Sequence, residues 1–582
     1  MVSSLSYAQN RTSGPPNVVI VLTDDQGYGD IASLGNPWIK TPTLDKLHAQ
    51  SVRFTNFHSG TTCAPTRASL MTGQYSNKVG VWHTIIGREY LRDGVPTMAD
   101  LFRAGGYKTA IFGKWHLGDN YPFRSQDRGF DEVLIHGGGG VTQTPDYWNN
   151  DYFNDTYFHN GKPEKYAGYC TDVWFREAMG FINKNKKSPF LCYIALNAPH
   201  SPFHVAPKYS QPYQGNPSIP NPNFYGMITN ADEQMGLFIE NLKKTGVYEN
   251  TIFVFMTDNG TAAGVKFDQK GTLVSGFNAN MRGTKGSQYE GGHRVPLFVS
   301  WPAKKISARD VNGLSGAIDL LPTLMELCGL NTDNQFDGIS LAPAILDNKQ
   351  IPEDRILVAD TQRGSMLVKD KQSAVMQGSW RLIDGEELYD LSQDPGQKKN
   401  VAQDHRELVD RLNRHYQAWW EDISRHGDEF NRVVLGSEKQ PVVCLTAHDF
   451  FAVDDMPAWN QDMIRRARGG NGPWQVEVAR GGTYRISLRR YPAESGLAMN
   501  AAAPVPPAEE GVKPYPPGTP LDIRKAKIRI GTVEKEMTVP PQAESADFVL
   551  ELPAGKATLE TWLTEDKEES HGAFYTYVIK VK

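Results

Sequence analysis

The chain has 582 residues, of which 39% are hydrophobic and 22% are charged, and its formal net charge is −5 at pH 7. A chain of this length exceeds one ordinary hydrophobic core, so we expect two or three domains. The small negative charge argues against a nucleic-acid-binding surface, and no apolar run approaches the length of a membrane span.

The start of the chain and its cysteines bear on where the protein works. Residues 1–16 lack the apolar segment of a signal peptide. We interpret them as a flexible leader whose secretion signal has been removed, and we expect a periplasmic or secreted protein. The cysteines are scattered without a Cys-x-x-Cys pair, which argues against a zinc ribbon or a dense disulfide framework. They are Cys63, Cys170, Cys192, Cys328 and Cys444.

Buried strands alternate with amphipathic helices through residues 17–345. Short apolar runs rich in β-branched residues predict strands at 17–22, 109–112, 190–196, 252–256 and 295–301. Helical segments are expected at about 43–50, 97–104, 171–183, 227–245 and 320–328. This alternation predicts an α/β domain with a mostly parallel central sheet flanked by helices.

Polar side chains follow four of these predicted strands. They are Asp24, Asp25, Lys114, His116, His200, Asp258 and Asn259. In a parallel sheet, ligands bind beyond the carboxyl ends of the strands, so we expect these side chains to converge. The oxygen donors among them suit Ca²⁺ or Mg²⁺ better than zinc.

Residues 120–170 form a long insertion that is rich in Gly, Tyr, Trp, Asn and Asp. Such an insertion is usually functional or disordered, and its aromatic residues argue against disorder. We therefore expect a substrate-side loop, in which His136, Tyr147 and Trp148 contact the substrate. A packed structural excursion is the alternative.

The pattern changes after the α/β domain. Residues 346–435 predict a small antiparallel subdomain, with strands at 356–358, 366–368 and 379–383 and a helix at about 405–423. Residues 440–582 contain short strand candidates separated by turns, which predicts an accessory β-sandwich or jelly-roll domain. Within it, residues 501–520 are expected to be a Pro/Ala-rich linker. The sequence leaves open whether this domain binds glycans or only packs on the first domain.

The stretch around Cys63 couples a cysteine to the start of a helix. Pro65 fits the first turn of a helix and biases Ala64 away from helical geometry. We therefore expect the helix to begin at about Pro65, with Cys63 in the preceding loop, where free N–H groups favour an anion. Arg67 lies one turn further on and can reach back toward Cys63. The grouping suits an activated nucleophile, and a structural cysteine is the alternative.

The run Cys-Ala-Pro-Thr-Arg at residues 63–67, continuing to Met-Thr-Gly at 71–73, resembles the motif of the type I sulfatases. In that family, a maturation enzyme oxidises the cysteine to formylglycine, and the hydrate of this aldehyde is the nucleophile. The resemblance extends from about residue 17 to about residue 425. It implies the alkaline-phosphatase-like fold with a small antiparallel C-terminal subdomain. It also implies a Ca²⁺ ion bound by residue 63 together with Asp24, Asp25, Asp258 and Asn259.

The same resemblance implies a cluster of catalytic side chains around the sulfate. Lys114 and His116 match the family's lysine–histidine pair, and Lys285 and His200 match its second lysine and second histidine. In the implied mechanism, His200 with Lys285 protonates the departing alcohol, and His116 later accepts the proton that allows sulfate to leave. Asp258 is the expected proton acceptor for the attack, while Arg67 and Lys114 hold the oxygens. Two further residues expected to support the substrate site are His293 and Arg294.

These features predict a calcium-dependent sulfatase, a sulfuric ester hydrolase, that acts on a sulfated carbohydrate. Asn259 stands where a zinc phosphatase of the superfamily would carry histidine, which weighs against that class. The alternatives are a broad-range arylsulfatase, a phosphonate or phosphate ester hydrolase of the same superfamily, and a non-catalytic binder of sulfated glycans. The expected partners are the sulfated saccharide and the formylglycine-generating enzyme. No nucleic acid and no membrane span are expected.

Overall fold

The computed structural model describes residues 14–269, 271–451 and 456–582. Most of the expected leader, residues 1–16, lies outside these residues. Among the described residues, no helix combines the length and the apolar character needed to cross a membrane. All five cysteines lie within the described part of the chain and are free thiols.

The first domain alternates strands with helices, as the sequence predicts. Its strands are β1 (Asn17–Thr23), β2 (Val52–Phe54), β3 (Phe57–His58), β4 (Lys108–Gly113), β5 (Glu132–Ile135), β6 (Thr156–His159), β7 (Lys162–Lys165), β8 (Phe190–Ala195), β9 (Thr251–Thr257), β10 (Val265–Phe267), β11 (Leu273–Gly276), β12 (Leu297–Ser300), β13 (Arg309–Val311) and β14 (Ser315–Gly316). Its helices are α1 (Pro42–Gln50), α2 (Cys63–Thr72), α3 (Met98–Ala104), α4 (Cys170–Asn185), α5 (Pro207–Ser210), α6 (Pro222–Lys244), α7 (Glu290–His293), α8 (Leu320–Leu327) and α9 (Ala342–Asp347).

Ten of these strands form the central sheet, in the order β13-β2-β12-β9-β1-β8-β4-β5-β6-β7. The five neighbours from β9 to β5 are parallel, whereas β12 runs antiparallel to β9. The carboxyl ends of β1, β4, β8 and β9 therefore meet at one edge of the sheet. The predicted α/β fold is confirmed, and the sheet is mixed, with its antiparallel strands toward the two edges.

The sheet is buried on both faces. Alternate residues of β1 enter two different cores: Val18 and Ile20 pack in the core that contains α2, α3 and α8, and Val19 and Val21 pack in the core that contains α1, α4 and α6. A strand covered on both sides needs apolar residues at every position, which explains the continuous apolar run in the sequence.

The second part of the chain is a four-stranded antiparallel sheet covered by one helix. The strands are β15 (Ile356–Asp360), β16 (Ser373–Gln377), β17 (Trp380–Ile383) and β18 (Glu387–Asp390), and the helix is α10 (Arg406–Ile423). The strand expected at 366–368 is wrong: these residues form a loop in which Met366 and Val368 are exposed. The segment gains no neighbouring strand, and without one three apolar residues do not form a strand.

The C-terminal domain is a sandwich of two sheets around one apolar core. Its elements are β19 (Val433–Leu435), β20 (Val442–Thr446), α11 (Gln461–Arg465), β21 (Trp474–Val478), β22 (Gly482–Arg489), β23 (Ile523–Ile530), β24 (Val533–Thr538), β25 (Ala546–Leu552), β26 (Gly555–Glu565), β27 (Ser570–His571) and β28 (Tyr575–Lys580). One sheet has the order β19-β21-β26-β23-β24, with β27 on β26, and the other has the order β20-β28-β22-β25. Because β19 pairs with β21, this domain begins before the boundary expected at residue 440.

Residues 501–520, expected to be a linker, instead cross back onto the first domain, and we call them the strap. The backbone N–H of Lys513 donates to Nε2 of His204 at 3.1 Å. The hydroxyl of Tyr515 donates to the carbonyl of Asn150 at 2.6 Å. The strap thus makes specific contacts with the insertion of residues 120–170 and with the segment after β8, and it joins no two domains.

Candidate active site

Four neighbouring strands deliver polar side chains to one edge of the central sheet. Asp24 and Asp25 follow β1, while Asp258 and Asn259 follow the adjacent strand β9. The backbone N–H of Asp25 donates to Oδ1 of Asp258 at 3.0 Å, and the amide of Asn259 donates to Oδ1 of Asp25 at 2.9 Å. The expected convergence of these side chains is therefore present.

The carboxylates of Asp24, Asp25 and Asp258 are almost completely buried, and their oxygens lie within 4.8 Å of one another. Oδ1 of Asp24 and Oδ1 of Asn259 receive no hydrogen bond from the described residues. Buried oxygens of this kind normally have partners. Three carboxylates and an amide oxygen form the hard donor set that Ca²⁺ prefers, so these residues fit a calcium ion.

Three cations surround these carboxylates. Nζ of Lys114 lies 2.6 Å from Oδ2 of Asp24, and Nζ of Lys285 lies 2.5 Å from Oδ1 of Asp25. Arg67 extends from α2 and donates to Oδ2 of Asp258 at 2.9 Å. The result is a buried patch that mixes fixed positive and negative charge, which suits an anionic substrate bound through a metal ion.

Two of the three carboxyl groups in this pocket, those of Asp25 and Asp258, have pKa values shifted in opposite directions. Burial opposes ionisation of Asp25, but Lys285 and His200 lower its pKa below the ordinary range. Burial and the nearby charge of Asp24 raise the pKa of Asp258 to about 7. Two carboxyl groups pushed apart in this way can take different roles in proton transfer.

Cys63 is the first residue of α2, and Thr62 is its N-cap. The expected start at Pro65 is therefore wrong by two residues, because the third position of a helix also leaves its N–H without an intrahelical partner and accepts proline. Sγ of Cys63 lies 3.9 Å from Oδ1 of Asp25. Burial and the charge of Asp24 raise the pKa of this thiol to about 12, so the unmodified side chain is protonated at neutral pH and is a poor nucleophile.

Two histidines stand beside this group. Nε2 of His200, which follows β8, lies 3.8 Å from Oδ2 of Asp25, and burial lowers the pKa of this imidazole to about 3. His116 has a left-handed backbone with φ of 60° and bonds the carbonyl of Thr84 through Nε2 at 2.8 Å. Burial and Lys114 lower the pKa of His116 well below its ordinary value.

Residues 137–150, which we call the glycine loop, lie directly against both histidines. A Cβ added at Gly139 would lie 2.3 Å from Nε2 of His116, and one at Gly140 would lie 3.3 Å from Nδ1 of His200. Only glycine at 139 allows this approach without displacing the imidazole. The insertion thus borders the site, as expected, but through its glycines and not through aromatic rings.

The aromatic residues of the insertion are placed differently from the expectation. Trp148 is 7% exposed and belongs to the core of the C-terminal domain, where it packs edge-on against Tyr491. His136 is fully buried beside Trp174, so neither residue forms a rim that a sugar could touch. Tyr147 is half-buried and lines a cleft of about 430 Å³ between the first and C-terminal domains.

His293 and Arg294 are also corrected. His293 is fully buried, and its Nδ1 lies 2.9 Å from Nδ1 of His58. Arg294 donates to the carbonyl of Thr55 at 2.9 Å and pairs with Glu290 at 3.5 Å. His293 thus ties α7 to β3, and Arg294 ties the end of α7 to the segment before β3, so both residues have partners within the fold.

No local pattern in the sequence points to the residues that hold the glycine loop in place. The side-chain amide of Gln461, in α11, donates to the carbonyl of Tyr147 at 3.1 Å and accepts from the N–H of Asn149 at 2.9 Å. Thr144 bonds the carbonyls of Ala458 and Trp459. Because more than 300 residues separate these partners, local pattern could not reveal them.

The comparisons with known proteins now decide the family. The model of the family described as Sulfatase matches residues 16–330, which is more than half of the chain. This chain belongs to the sulfatase family. A second model, described as N-sulphoglucosamine sulphohydrolase, C-terminal, matches residues 284–420.

This sulfatase is similar to curated and solved proteins across the same region. It is 29% identical to the N-acetylgalactosamine-6-sulfatase of Homo sapiens over 361 residues, and the matched region covers 58% of this chain and 66% of that protein. It is 31% identical over 361 residues to the ulvan-active sulfatase of Formosa agariphila, which covers 57% and 65%, respectively. The fold also matches the crystal structure of Ps i-CgsB in complex with k-i-k-neocarrahexaose, with a TM-score of 0.62 and 28% sequence identity. The match covers 70% of this chain and 93% of the Ps i-CgsB chain.

The chain thus spans about two thirds of the length of the curated relatives. The expected sulfuric ester hydrolase is confirmed.

Proposed function

We propose that this sulfatase removes sulfate from a sulfated carbohydrate, using formylglycine made from Cys63 and a bound Ca²⁺. The relatives named above support the carbohydrate, because their names specify N-acetylgalactosamine-6-sulfate and ulvan, and the Ps i-CgsB crystal contains a neocarrahexaose. The site supports the chemistry, because its charges match a sulfate group and a divalent cation.

The proposed calcium ligands are the four strand-end residues and residue 63. The unpartnered oxygens of Asp24 and Asn259 support this choice, as does the mutual proximity of the three carboxylates. Calcium would polarise a sulfate oxygen, and formylglycine at position 63 would supply a hydrated aldehyde as nucleophile. The high pKa of the Cys63 thiol favours conversion of this side chain over its direct use.

The proposed roles of the cations follow from their positions. Arg67, Lys114 and Lys285 each hold a carboxylate of the cluster within 2.9 Å. Their remaining N–H groups would bind sulfate oxygens and stabilise negative charge as it moves to the leaving oxygen.

His200 and His116 are proposed to move protons. An anionic sulfate ester near Asp25 would favour the protonated form of His200, whose Nε2 would then donate to the departing alcohol. His116 stays neutral through burial and Lys114, and its Nδ1 has no hydrogen-bond partner among the described residues. That nitrogen is free to accept the proton that allows sulfate to leave.

The observation that carries this proposal is the buried group of Asp24, Asp25 and Asp258 beside Cys63, ringed by three cations. A pure binder of sulfated glycans would not need a buried cysteine at the centre of such a group. We further propose a periplasmic or secreted protein, since polymeric substrates of this kind lie outside the cell, and maturation by a formylglycine-generating enzyme. For the functional units we propose residues 17–345 as the catalytic domain and 346–435 as its subdomain, except that β19 at its end belongs to the sandwich. The sandwich is proposed as an accessory domain.

The test is release of inorganic sulfate from defined oligosaccharides of carrageenan, ulvan and 6-sulfated N-acetylgalactosamine, beside a small aryl sulfate, a phosphate monoester and a phosphonate monoester. We expect kcat/KM for one saccharide to exceed that for the phosphorus esters by at least about a hundredfold. A higher value for the phosphonate would identify a phosphonate hydrolase, and a higher value for the aryl sulfate a broad-range arylsulfatase. Saccharide binding without release, by protein whose residue 63 is converted, would identify a binder.

A further inference from the structure

A second group of metal-binding side chains lies between the catalytic and C-terminal domains, and we call it the interface cluster. It consists of Glu89, from the segment between α2 and α3, and of His448 and Asp449, which follow β20. Their ligand atoms lie within 4.8 Å of one another. Nδ1 of His448 is 2.6 Å from Oδ1 of Asp449 and 3.9 Å from Oε1 of Glu89.

The interface cluster is buried but poorly satisfied. Glu89 is 2% exposed and His448 is 1% exposed. Among the described residues, Nε2 of His448 has no hydrogen-bond partner, and the carboxyl group of Glu89 is hydrogen-bonded by no side chain other than that of Asp449. Removing such groups from water without a partner is costly, so their retention points to a bound species.

Burial and the neighbouring carboxyl group of Asp449 raise the pKa of Glu89 well above its ordinary value, so without an ion this pair of carboxyl groups shares one proton. Within the described part of the chain, His448 is the one ion-pair partner of Glu89, and no lysine or arginine pairs with Asp449. Asp119 adds a third carboxyl group, whose pKa is raised to about 7 by burial and by Asp449. The neighbouring Arg88 points elsewhere, since its guanidinium stacks on Trp82 and bonds the carbonyl of Ser365.

We propose that Glu89, His448 and Asp449 bind a divalent transition-metal ion, for which Zn²⁺ is the best match. One imidazole with two carboxylates is a donor set that zinc accepts, whereas the active-site carboxylates, with their oxygen donors, suit calcium. The zinc would displace the proton shared by Glu89 and Asp449 and bind both groups as carboxylates.

This position would let the ion couple the two domains near the active site. The carbonyl of His448 accepts from the N–H of Ile86 at 3.0 Å, and the carbonyl of Thr84, two residues earlier, holds Nε2 of His116. An ion at Glu89 would therefore fix the segment that orients His116. Its role is structural, and it would contribute no step to the reaction.

The test uses the full chain, loaded first with saturating Ca²⁺ and then titrated with ZnCl₂, with zinc and calcium counted by mass spectrometry after gel filtration. We expect about one zinc per chain in addition to the calcium. Glu89→Gln and His448→Gln should each weaken zinc binding by at least about tenfold and leave the calcium content unchanged. His571→Gln is the matched control, because His571 belongs to a more exposed group with Glu565 and Glu569 and should not affect the tight site.

Several results would overturn the proposal. No tight zinc in the wild-type chain, zinc that displaces calcium one for one, or zinc content unchanged in both Glu89→Gln and His448→Gln would each exclude the interface cluster as the site. If both variants fail to fold, anomalous diffraction from zinc-soaked wild-type crystals decides: an ion about 2.0–2.1 Å from a ring nitrogen of His448 supports the proposal, and an ion elsewhere refutes it.

Discussion

The strand-end carboxylates and the glycine loop border the same pocket, yet they depend on different parts of the chain. Asp24, Asp25 and Asp258 are placed by the central sheet alone, because β1 and β9 are parallel neighbours and end side by side. Each residue sits within two positions of its strand. Any sequence that forms this sheet brings these side chains together.

The glycine loop needs a second domain to hold its shape. Across the domain boundary, Gln461 of α11 donates to the carbonyl of Gln143, and Thr144 of the loop donates to carbonyls of the C-terminal domain. Tyr515 of the strap donates to the carbonyl of Asn150. Without these contacts, Gly139 and Gly140 would lose their fixed distance from His116 and His200. The proposed metal and sulfate site therefore depends on the sheet, whereas we expect the orientation of the two histidines to depend also on the C-terminal domain.

The largest loss of turnover should come from a change at Cys63, beside the strand-end carboxylates. Cys63→Ala removes the proposed nucleophile while leaving the neighbouring carboxylates in place, so turnover should fall by at least about 10⁴-fold. Circular dichroism should match that of the wild type, and most of the bound calcium should be retained because the four strand-end ligands remain. Turnover by the purified alanine variant within tenfold of the wild type would refute the role of residue 63.

A smaller but still large effect is expected at the strand end. Asp258→Ala removes a proposed calcium ligand, the expected proton acceptor and the partner of Arg67, so we expect bound calcium to be lost and kcat/KM to fall by about 10²–10³-fold. Asn259→Ala removes a neutral donor and should cost about tenfold. Measuring calcium content and sulfate release in each variant checks both predictions. Unchanged calcium content in both variants would show that the ion does not bind at Asp258 and Asn259.

The contribution of the C-terminal domain is tested by Gln461→Ala. This change frees the glycine loop without touching a calcium ligand, so kcat should fall by about tenfold while calcium content is retained. Arg466→Ala is the matched control, since Arg466 is the exposed C-cap residue of the same helix. If kcat is unchanged in the Gln461 variant, the glycine loop keeps its position without this contact to the C-terminal domain. The expected dependence of the two histidines on that domain would then be refuted.

The smallest effect on turnover is expected at Trp148. Its ring is buried against Tyr491 and beneath the guanidinium of Arg465, so Trp148→Ala should cost about 3–5 kcal/mol of stability and lower the melting temperature. At a temperature where the variant is folded, its kcat/KM for a saccharide and for a small aryl sulfate should change by the same factor. Tyr147→Phe, at the interdomain cleft, is the control for stability. If kcat/KM fell only for the saccharide, Trp148 would contact the sugar after all.

The sequence predicted the parts that depend on short-range pattern. Continuous apolar runs identified β1, β4, β8 and β9, and parallel topology then predicted which polar residues would meet. The start of α2 was misplaced by two residues, because the proline rule for Ala64 is a preference that packing overrides. Trp148, His293 and the strap could not be placed, since aromatic, histidine and proline-rich segments look alike whether they bind a ligand or pack against a distant domain.

The most direct test of the central claim is the mass of residue 63 in active enzyme. Protein produced with a formylglycine-generating enzyme is digested with trypsin, and the peptide of residues 54–67 is measured beside sulfate release from the best saccharide. We predict that the formylglycine fraction of this peptide and the specific activity rise in proportion, and that protein made without maturation has neither. Full activity in protein whose residue 63 remains cysteine would contradict the account.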